Sequence, residues 1–332
     1  LANKENYLIN FDKINFNINQ DKETGAKFSA FSNFFITDGK ALLLKENEVT
    51  IDKNIYIPGG FKVFLKSGQK IILNNDAFIL SNSPWSAIAN ENTINISGDD
   101  NNFGGGILIN AKNEKSHFKN VIFSNLKGPG DNIKNEFLIF GSLNFYESNV
   151  ELNNIEFKNI VSEDAINIFR SNFNIINAKF NQIISDGIDF DFSNGSAYNL
   201  SFENIGNDAL DFSGSKANID GFYTKFTGDK ILSAGEMSTI EVSNIKSTDS
   251  FSGIVSKDGS YVKIFNADFK RIKYPFSAYL KKEEYNKPSY IELYSTNLIE
   301  KKTNYIVDDI SKIYVDKKSV GILNNKLINL LK

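Results

Sequence analysis

Acidic and basic residues cluster in the middle of this chain at Asp186, Asp208, Asp229, Lys230 and Lys257, and three of them, Asp186, Asp208 and Lys230, are 22 residues apart. If intervals of 22 residues stack, Asp186 lies beside Asp208. Two carboxylates about 4.8 Å apart repel by roughly 3–4 kcal/mol at an effective dielectric constant of 20. Such a pair therefore needs a proton, a cation or a chemical role. Paired acids with one proton suit glycoside hydrolysis. Carboxylates beside a lysine also suit abstraction of the C5 proton of a uronate, as in a lyase or an epimerase.

A second set of residues is predicted to contact substrate around this centre. Asp189 and Asp211 are one interval apart and form a further carboxylate pair, which Ca²⁺ could bridge, although no residue is assigned as a metal ligand. The predicted substrate-binding residues are Asp189, Asp211, Glu236, Asp258, Tyr279 and Lys281.

Apolar residues keep the same interval, and this identifies the scaffold that must position the charges. Ile166, Ile188, Leu210, Leu232 and Ile254 are each 22 residues apart. A fixed period in this range is typical of a solenoid, in which each repeat buries its apolar face against its neighbours.

Short alternating runs within each repeat predict strands. In Gly187-Ile-Asp-Phe-Asp-Phe192, alternate side chains point in opposite directions, so Ile188, Phe190 and Phe192 are predicted to face the core. A second run in each repeat predicts a column of stacked rings and a ladder of amides at a turn. The rings are Phe123, Phe157, Phe180 and Phe202, and the amides are Asn125, Asn159, Gln182 and Asn204. This pattern predicts an all-β protein, a right-handed parallel β-helix with caps at both ends.

The predicted organisation has three parts. Residues 1–48 are interpreted as an N-terminal cap or the remnant of a preceding β domain, 49–320 as the β-helix, and 321–332 as a C-terminal cap. Caps are expected because an open end exposes the core and unpaired strand edges. The segment 126–136 is predicted to be a surface loop that walls a binding groove. A further domain of the same protein could precede Leu1.

Composition excludes several classes of function. The net charge of −3 gives no general attraction to nucleic acid. The chain has no Cys, which excludes disulfides and thiol chemistry. No apolar run approaches the ~18 residues of a membrane span. Because the chain begins at Leu1 without Met, a processed or truncated product is expected, and the predicted location is secreted, periplasmic or cell-surface in a bacterium.

The order of the central motifs resembles the active coils of the polygalacturonase-type glycoside hydrolases. That family carries Asn-Thr-Asp, Asp-Asp, Gly-His-Gly and Arg-Ile-Lys on successive coils, and the resemblance places Asp186, Asp208 and Lys257 on matching positions. The sequence departs from the family at three positions. Asn207 takes the place of the first Asp of the family's Asp-Asp pair, Asp229 takes the place of its His, and Val255 takes the place of its Arg. The 228–236 and 256–260 segments also resemble β-helix segments of bacterial surface proteins associated with CotH-like kinase domains.

Two hypotheses of different class follow from these observations. The first is a carbohydrate-active protein that binds an acidic polysaccharide, and cleaves or epimerises it, on the central coils. The second is a non-catalytic β-helix that serves as a stalk, adhesin or attachment module, with its Asp column satisfied by lysine or Ca²⁺. Clustering of acids and lysines on adjacent coils favours the first. The missing His and the incomplete Asp pair favour the second.

Overall fold

The computed structural model describes residues 28–99, 102–112, 114–129, 140–294, 297–298, 305–324 and 328. Short strands dominate this part of the chain, with two 3₁₀ turns at Phe31–Asn33 and Glu283–Tyr285. The strands are β1 Ser29–Ala30, β2 Phe35–Asp38, β3 Ala41–Leu44, β4 Glu48–Ile51, β5 Ile55–Ile57, β6 Lys62–Leu65, β7 Lys70–Leu73, β8 Phe78–Ser81, β9 Trp85–Ile88, β10 Ile94–Gly98, β11 Gly106–Ile109, β12 Lys115–Leu126, β13 Gly141–Tyr146, β14 Asn149–Ile160, β15 Asp164–Phe169, β16 Asn172–Ile183, β17 Asp186–Asp191, β18 Asn194–Ile205, β19 Leu210–Ser213, β20 Lys216–Thr227, β21 Lys230–Gly235, β22 Thr239–Lys257, β23 Tyr261–Tyr279, β24 Tyr290–Tyr294, β25 Asn297–Leu298, β26 Tyr305–Val307, β27 Lys312–Val315, β28 Lys318–Val320 and β29 Ile322–Leu323.

These strands form three parallel ladders that run the length of the molecule. Sheet I contains β5, β8, β11, β13, β15, β17, β19 and β21, the last parts of β22 and β23, and then β26 and β29. Sheet II begins at β3 and uses the first parts of the long strands, and sheet III begins at β4 and uses their next parts. The chain is therefore a parallel β-helix, as the sequence predicts.

The predicted 22-residue register is confirmed in sheet I. Ile166 pairs with Ile188, Ile188 with Leu210, and Leu210 with Leu232. The ladders start before the boundary predicted at residue 49, because β3 already pairs in parallel with β6. Antiparallel strands fold back on the end coils, β2 on β3 and β28 on β27. The predicted caps lie mostly outside the described residues and stay predictions.

Aromatic stacking fills the core. Phe123, Phe157, Phe180 and Phe202 are fully buried, and their successive ring centroids are 4.7, 5.2 and 4.6 Å apart. Burying each such ring contributes roughly 1.5–3 kcal/mol. The prediction for Phe192 was wrong. Its φ is +50°, which turns the side chain out of the core and against Phe169.

Asparagine ladders build the turns. All four predicted amide residues have positive φ, a conformation that Asn tolerates better than most residues. The Asn159 amide donates to Asn125 Oδ1 at 2.8 Å, whereas the Asn204 amide donates to Asn181 instead. A second ladder lies between sheets II and III and includes Asn120, Asn154, Asn177 and Asn199.

A column of buried serines forms the corner between sheets I and II. The backbone N–H of Ser148 donates to Ser171 Oγ, that of Ser171 to Ser193 Oγ, and the pattern continues along the column. The remaining members are Ser215, Ser238, Ser260, Ser289 and Ser311. From Ser171 onward each hydroxyl thus accepts a backbone N–H that the corner would otherwise leave unpaired.

Candidate functional site

The acidic corner is the column of Asp164, Asp186, Asp208 and Lys230, where the chain passes from sheet III to sheet I. The residues that follow three of them, Ala165, Ala209 and Ile231, belong to the hydrophobic core. The charged column therefore lies on the outside of the turn. Asp208 and Lys230 are nevertheless only 3% and 8% exposed, and Asp186 is partly exposed.

Hydrogen bonds link Asp186 and Asp208 of the acidic corner to the next coil. The Asp186 carboxylate accepts the backbone N–H of Asp208 at 2.8 Å and the Asn207 side-chain amide at 2.6 Å. The Asp208 carboxylate accepts the backbone N–H of Lys230 at 2.9 Å, and the Lys230 ammonium lies 3.4 Å from it. That ammonium also pairs with Asp229. Four of the five predicted catalytic residues thus meet at one place.

Burial changes the proton affinity of these groups. It raises the pKa of Asp186 to about 6, although hydrogen bonds from Asp208 and Asn207 act in the opposite direction. It also raises the pKa of Asp208 to about 8, with Lys230 opposing and Asp211 and Asp186 adding to the rise. The pKa of Asp164 is raised for the same reason, with Asp186 as the next cause. Asp208 therefore holds a proton at neutral pH, and the Lys230 ammonium has a second carboxyl partner in Asp229.

Asp189 and Asp211 form the floor of the site in the middle of sheet I. Asp189 pairs in register with Asp211. The same row of side chains across sheet I continues to Asn167 on one side and to Ser233 on the other. The Asn167 amide donates to Asp189 Oδ2 at 3.1 Å. Within the described residues, Asp211 Oδ1 and Ser233 Oγ are buried without a hydrogen-bond partner. Buried polar atoms of this kind are rare in proteins and call for a bound water or ligand.

An enlarged coil places further lysines over sheet I. Tyr290 pairs with Tyr261, 29 residues earlier, and the extra chain forms the lysine loop, residues 280–289. The buried Asp258 carboxylate accepts the backbone N–H groups of Lys281 and Lys282, both at 2.7 Å. The Lys282 ammonium pairs with Glu236. These contacts fix the base of the loop against the edge of sheet I.

Lys281 is exposed, and its pKa is lowered. Burial is the larger cause, followed by the charges of Lys257 and Lys230, while Asp211 acts in the opposite direction. Its amine is therefore within electrostatic range of two other lysines and of the floor of the site. The stem of Lys257 lies over Gly235, where an added Cβ would be 2.9 Å from Lys257 Cε.

Three predicted substrate-binding residues are revised because the structure buries them. Glu236 is 7% exposed and binds Lys282, and Asp258 is fully buried beneath the lysine loop. Tyr279 is also fully buried and packs with Val255, Ile306 and Ile328 in a small apolar cluster. These side chains offer almost no surface to a polymer, so we assign them to holding the loop and covering sheet I.

The residues that match the polygalacturonase pattern do not form one centre. Asp186 and Asp208 adjoin, but Lys257 is at the far end of its strand, five residues beyond the position in register with Lys230. At a rise of ~3.3 Å per residue the backbones are about 16 Å apart. Val255, where that family has Arg, is fully buried.

The lysine loop was missed, and the spacing of serines could have revealed it. Ser238 and Ser260 keep the regular interval, whereas the next member of the column is Ser289.

The loop predicted at 126–136 falls mostly outside the described residues. Within the described ranges, no three Asp, Glu, His or Cys side chains are grouped as a metal site requires, so the Ca²⁺ bridge has no ligand set there. The same part of the chain has no helix long and apolar enough to span a bilayer.

Comparison with known proteins gives similarity of fold only. No protein-family model and no curated protein matches the chain. An alginate lyase from Paenibacillus sp. str. FPU-7 is 10% identical with a TM-score of 0.40, over 83% of this chain and 99% of that one. A double mutant of the periplasmic alginate epimerase AlgG is 10% identical with a TM-score of 0.46, over 90% and 84%. The Streptococcus pneumoniae surface protein and adhesin PfbA is 10% identical with a TM-score of 0.23, over 87% and 98%. At these values the matches carry no argument about function.

Proposed function

We propose that this protein binds an acidic polysaccharide along the outer face of sheet I and that Lys281 removes the C5 proton of a bound uronate. The observation that carries the proposal is the position of Lys281. Its amine lies within electrostatic range of Lys257, Lys230 and Asp211, and partial burial, followed by the charges of the two lysines, lowers its pKa. A lysine near other cations loses its proton more easily and can then act as a base.

The chemistry needs both a base and a positive charge. The C5 hydrogen of a uronate lies next to a carboxylate, whose negative charge resists removal of that proton. Lys257, whose stem lies over Gly235, would pair with the carboxylate. The deprotonated form of Lys281, which its lowered pKa favours, takes the proton, and the electron pair stays on C5. The pair then expels the C4 oxygen, which water protonates, to give a C4–C5 double bond. Alternatively, a water molecule on the opposite face gives a proton to C5, which yields the epimer, and Lys281 passes the proton that it removed to the resulting hydroxide.

Glycoside hydrolysis fits the site less well. It requires an acid that reaches the oxygen between two sugars. Asp208 carries the required proton but is only 3% exposed. The Asp186 carboxylate is occupied by two hydrogen-bond donors. We therefore assign these two groups to shaping the site, and Asp189 and Asp211 to binding sugar hydroxyls. A polysaccharide substrate of this kind places the protein outside the cytoplasm, as a secreted, periplasmic or cell-surface protein.

Proton exchange tests the proposal directly. Polyuronates of several kinds are incubated with the protein in deuterated water, and deuterium at C5 is read by mass spectrometry and NMR. Ultraviolet absorbance of unsaturated products is followed in parallel. We expect exchange with the wild type and its loss in Lys281→Ala. Lys287→Ala is the matched control, because Lys287 is an exposed lysine on the same loop whose ammonium lies 3.8 Å from Met237 Sδ.

A second candidate function is a non-catalytic β-helix module that attaches to a surface or polymer. The burial of the acidic corner and its hydrogen bonds to the next coil favour it, because these features also suit a purely structural column. Polysaccharide binding without deuterium exchange or product release, unchanged in Lys281→Ala, would establish this second function and refute the first.

A further inference from the structure

A bare strip of backbone lies beside the acidic corner, at the turn from sheet III to sheet I. Gly206 and Gly228 occupy equivalent positions on neighbouring coils, and both are exposed. A Cβ at Gly206 would lie 1.9 Å from the carbonyl oxygen of Ile184, and one at Gly228 would lie 2.0 Å from that of Gly206. The coils therefore pack too closely here for any side chain, which leaves a shelf two coils long.

Exposed apolar side chains stand at both ends of this shelf. Ile184, one coil before Gly206, is 63% exposed, and Phe251, one coil after Asp229, is 38% exposed. Three coils at a spacing of ~4.8 Å place them about 14 Å apart. Phe251 also makes an edge-on contact with Tyr274, with ring centroids 5.5 Å apart.

The long side of the shelf is polar and leads into the acidic corner. Asn207 and Asp229 follow the two glycines directly, and their backbones continue the ladder of the corner. The Asn207 amide bonds to Asp186, and Asp229 pairs with Lys230. At the aromatic end the Lys273 ammonium lies 5.1 Å from the ring centroid of Phe251 and 5.2 Å from that of Tyr274.

We propose that this glycine shelf, formed by Ile184, Gly206, Gly228 and Phe251, binds a pyranose ring of an acidic polysaccharide outside the reaction centre. A pyranose has an apolar face that packs on an aromatic ring and an edge of hydroxyl groups that bonds to Asn and Asp. The shelf offers both surfaces side by side, and Lys273 adds a cation for an anionic sugar. This inference rests on the proposed function, because the bound polymer continues from sheet I onto the shelf.

The test measures binding apart from catalysis, in the Lys281→Ala background. Affinities for an acidic and a neutral polysaccharide are determined by affinity electrophoresis and calorimetry. We expect Phe251→Ala to weaken binding of the acidic polymer about tenfold, or ~1.4 kcal/mol. Phe251→Tyr, which keeps the ring, should restore it. Tyr223→Ala is the matched control, because Tyr223 is a similarly exposed aromatic residue at 40% exposure, on sheet III away from the shelf. Melting temperatures establish that each variant is folded.

The outcomes separate the two proposals. Failure of both the wild type and the folded Lys281→Ala protein to bind any polysaccharide overturns both, since the shelf then has no ligand. Binding that Phe251→Ala and Tyr223→Ala leave equally strong overturns the shelf alone, and the proposed function stands. A loss in Phe251→Ala that Phe251→Tyr does not restore also overturns the shelf, because stacking requires only the ring.

Discussion

Replacement of Asp186 by Asn should stabilise the protein at alkaline pH. Burial raises the pKa of Asp186 to about 6, so the folded protein holds this proton more tightly than the unfolded chain. The associated stability is complete below about pH 4 and is lost as the pH rises through about 6. A shift of about two units corresponds to about 2–3 kcal/mol. Asn keeps the oxygen that accepts the N–H of Asp208 and the amide of Asn207, and it carries no charge.

Urea unfolding at pH 4 and pH 8 measures this effect, with the slope of the unfolding free energy against urea compared between variants. We expect Asp186→Asn to gain about 2–3 kcal/mol over the wild type at pH 8 and little at pH 4. Asp249→Asn is a control of opposite sign, because Arg271 holds the pKa of that carboxyl at about 2, and its loss should destabilise the protein at pH 8. Equal destabilisation by Asp186→Asn at both pH values would refute the reasoning and identify the ionised carboxylate as a stabilising group.

Three further substitutions test other features of the structure by denaturant unfolding. Lys230→Met should cost about 3 kcal/mol at pH 10, where the Asp208 carboxyl of the wild type is ionised beside the ammonium, and most of the loss should disappear at pH 7, where that carboxyl holds a proton; a loss independent of pH would contradict this. Gly228→Ala should cost about 2–3 kcal/mol because its Cβ would lie 2.0 Å from a carbonyl oxygen, whereas Gly59→Ala, whose Cβ meets its nearest atom at 3.4 Å, should be tolerated; equal effects would refute the close approach. Asn159→Ala should cost about 1–2 kcal/mol through its φ of +51° and its ladder hydrogen bond, and Asn159→Gly should cost less; the reverse order would exclude the backbone contribution.

Sequence reasoning predicts this fold well because a solenoid repeats the same local physics on every coil. The column from Ile166 to Ile254 sets the register, and the stack that begins at Phe123 sets the core. Phe192 breaks the alternation because the strand ends there in a residue with positive φ. The alternation of apolar and polar residues in the sequence does not show where a strand ends.

The candidate site is predicted only in part. Asp186, Asp208 and Lys230 meet because they share the repeat interval. Burial of Asp258 and Tyr279 depends on the lysine loop, which interrupts that interval. The position of Lys281 likewise depends on how the loop folds back, and no spacing in the sequence specifies it.

The serine column also has a consequence for how this molecule can change in evolution. Each coil presents the same donor to the next and the same hydroxyl to the one before, from Ser148 to Ser260. Duplication or excision of a DNA segment that encodes one whole coil therefore brings together coils that carry the same serine hydrogen bonds. The serine column then remains continuous. A gene of this kind can lengthen or shorten its β-helix one coil at a time while the lysine loop remains unaltered.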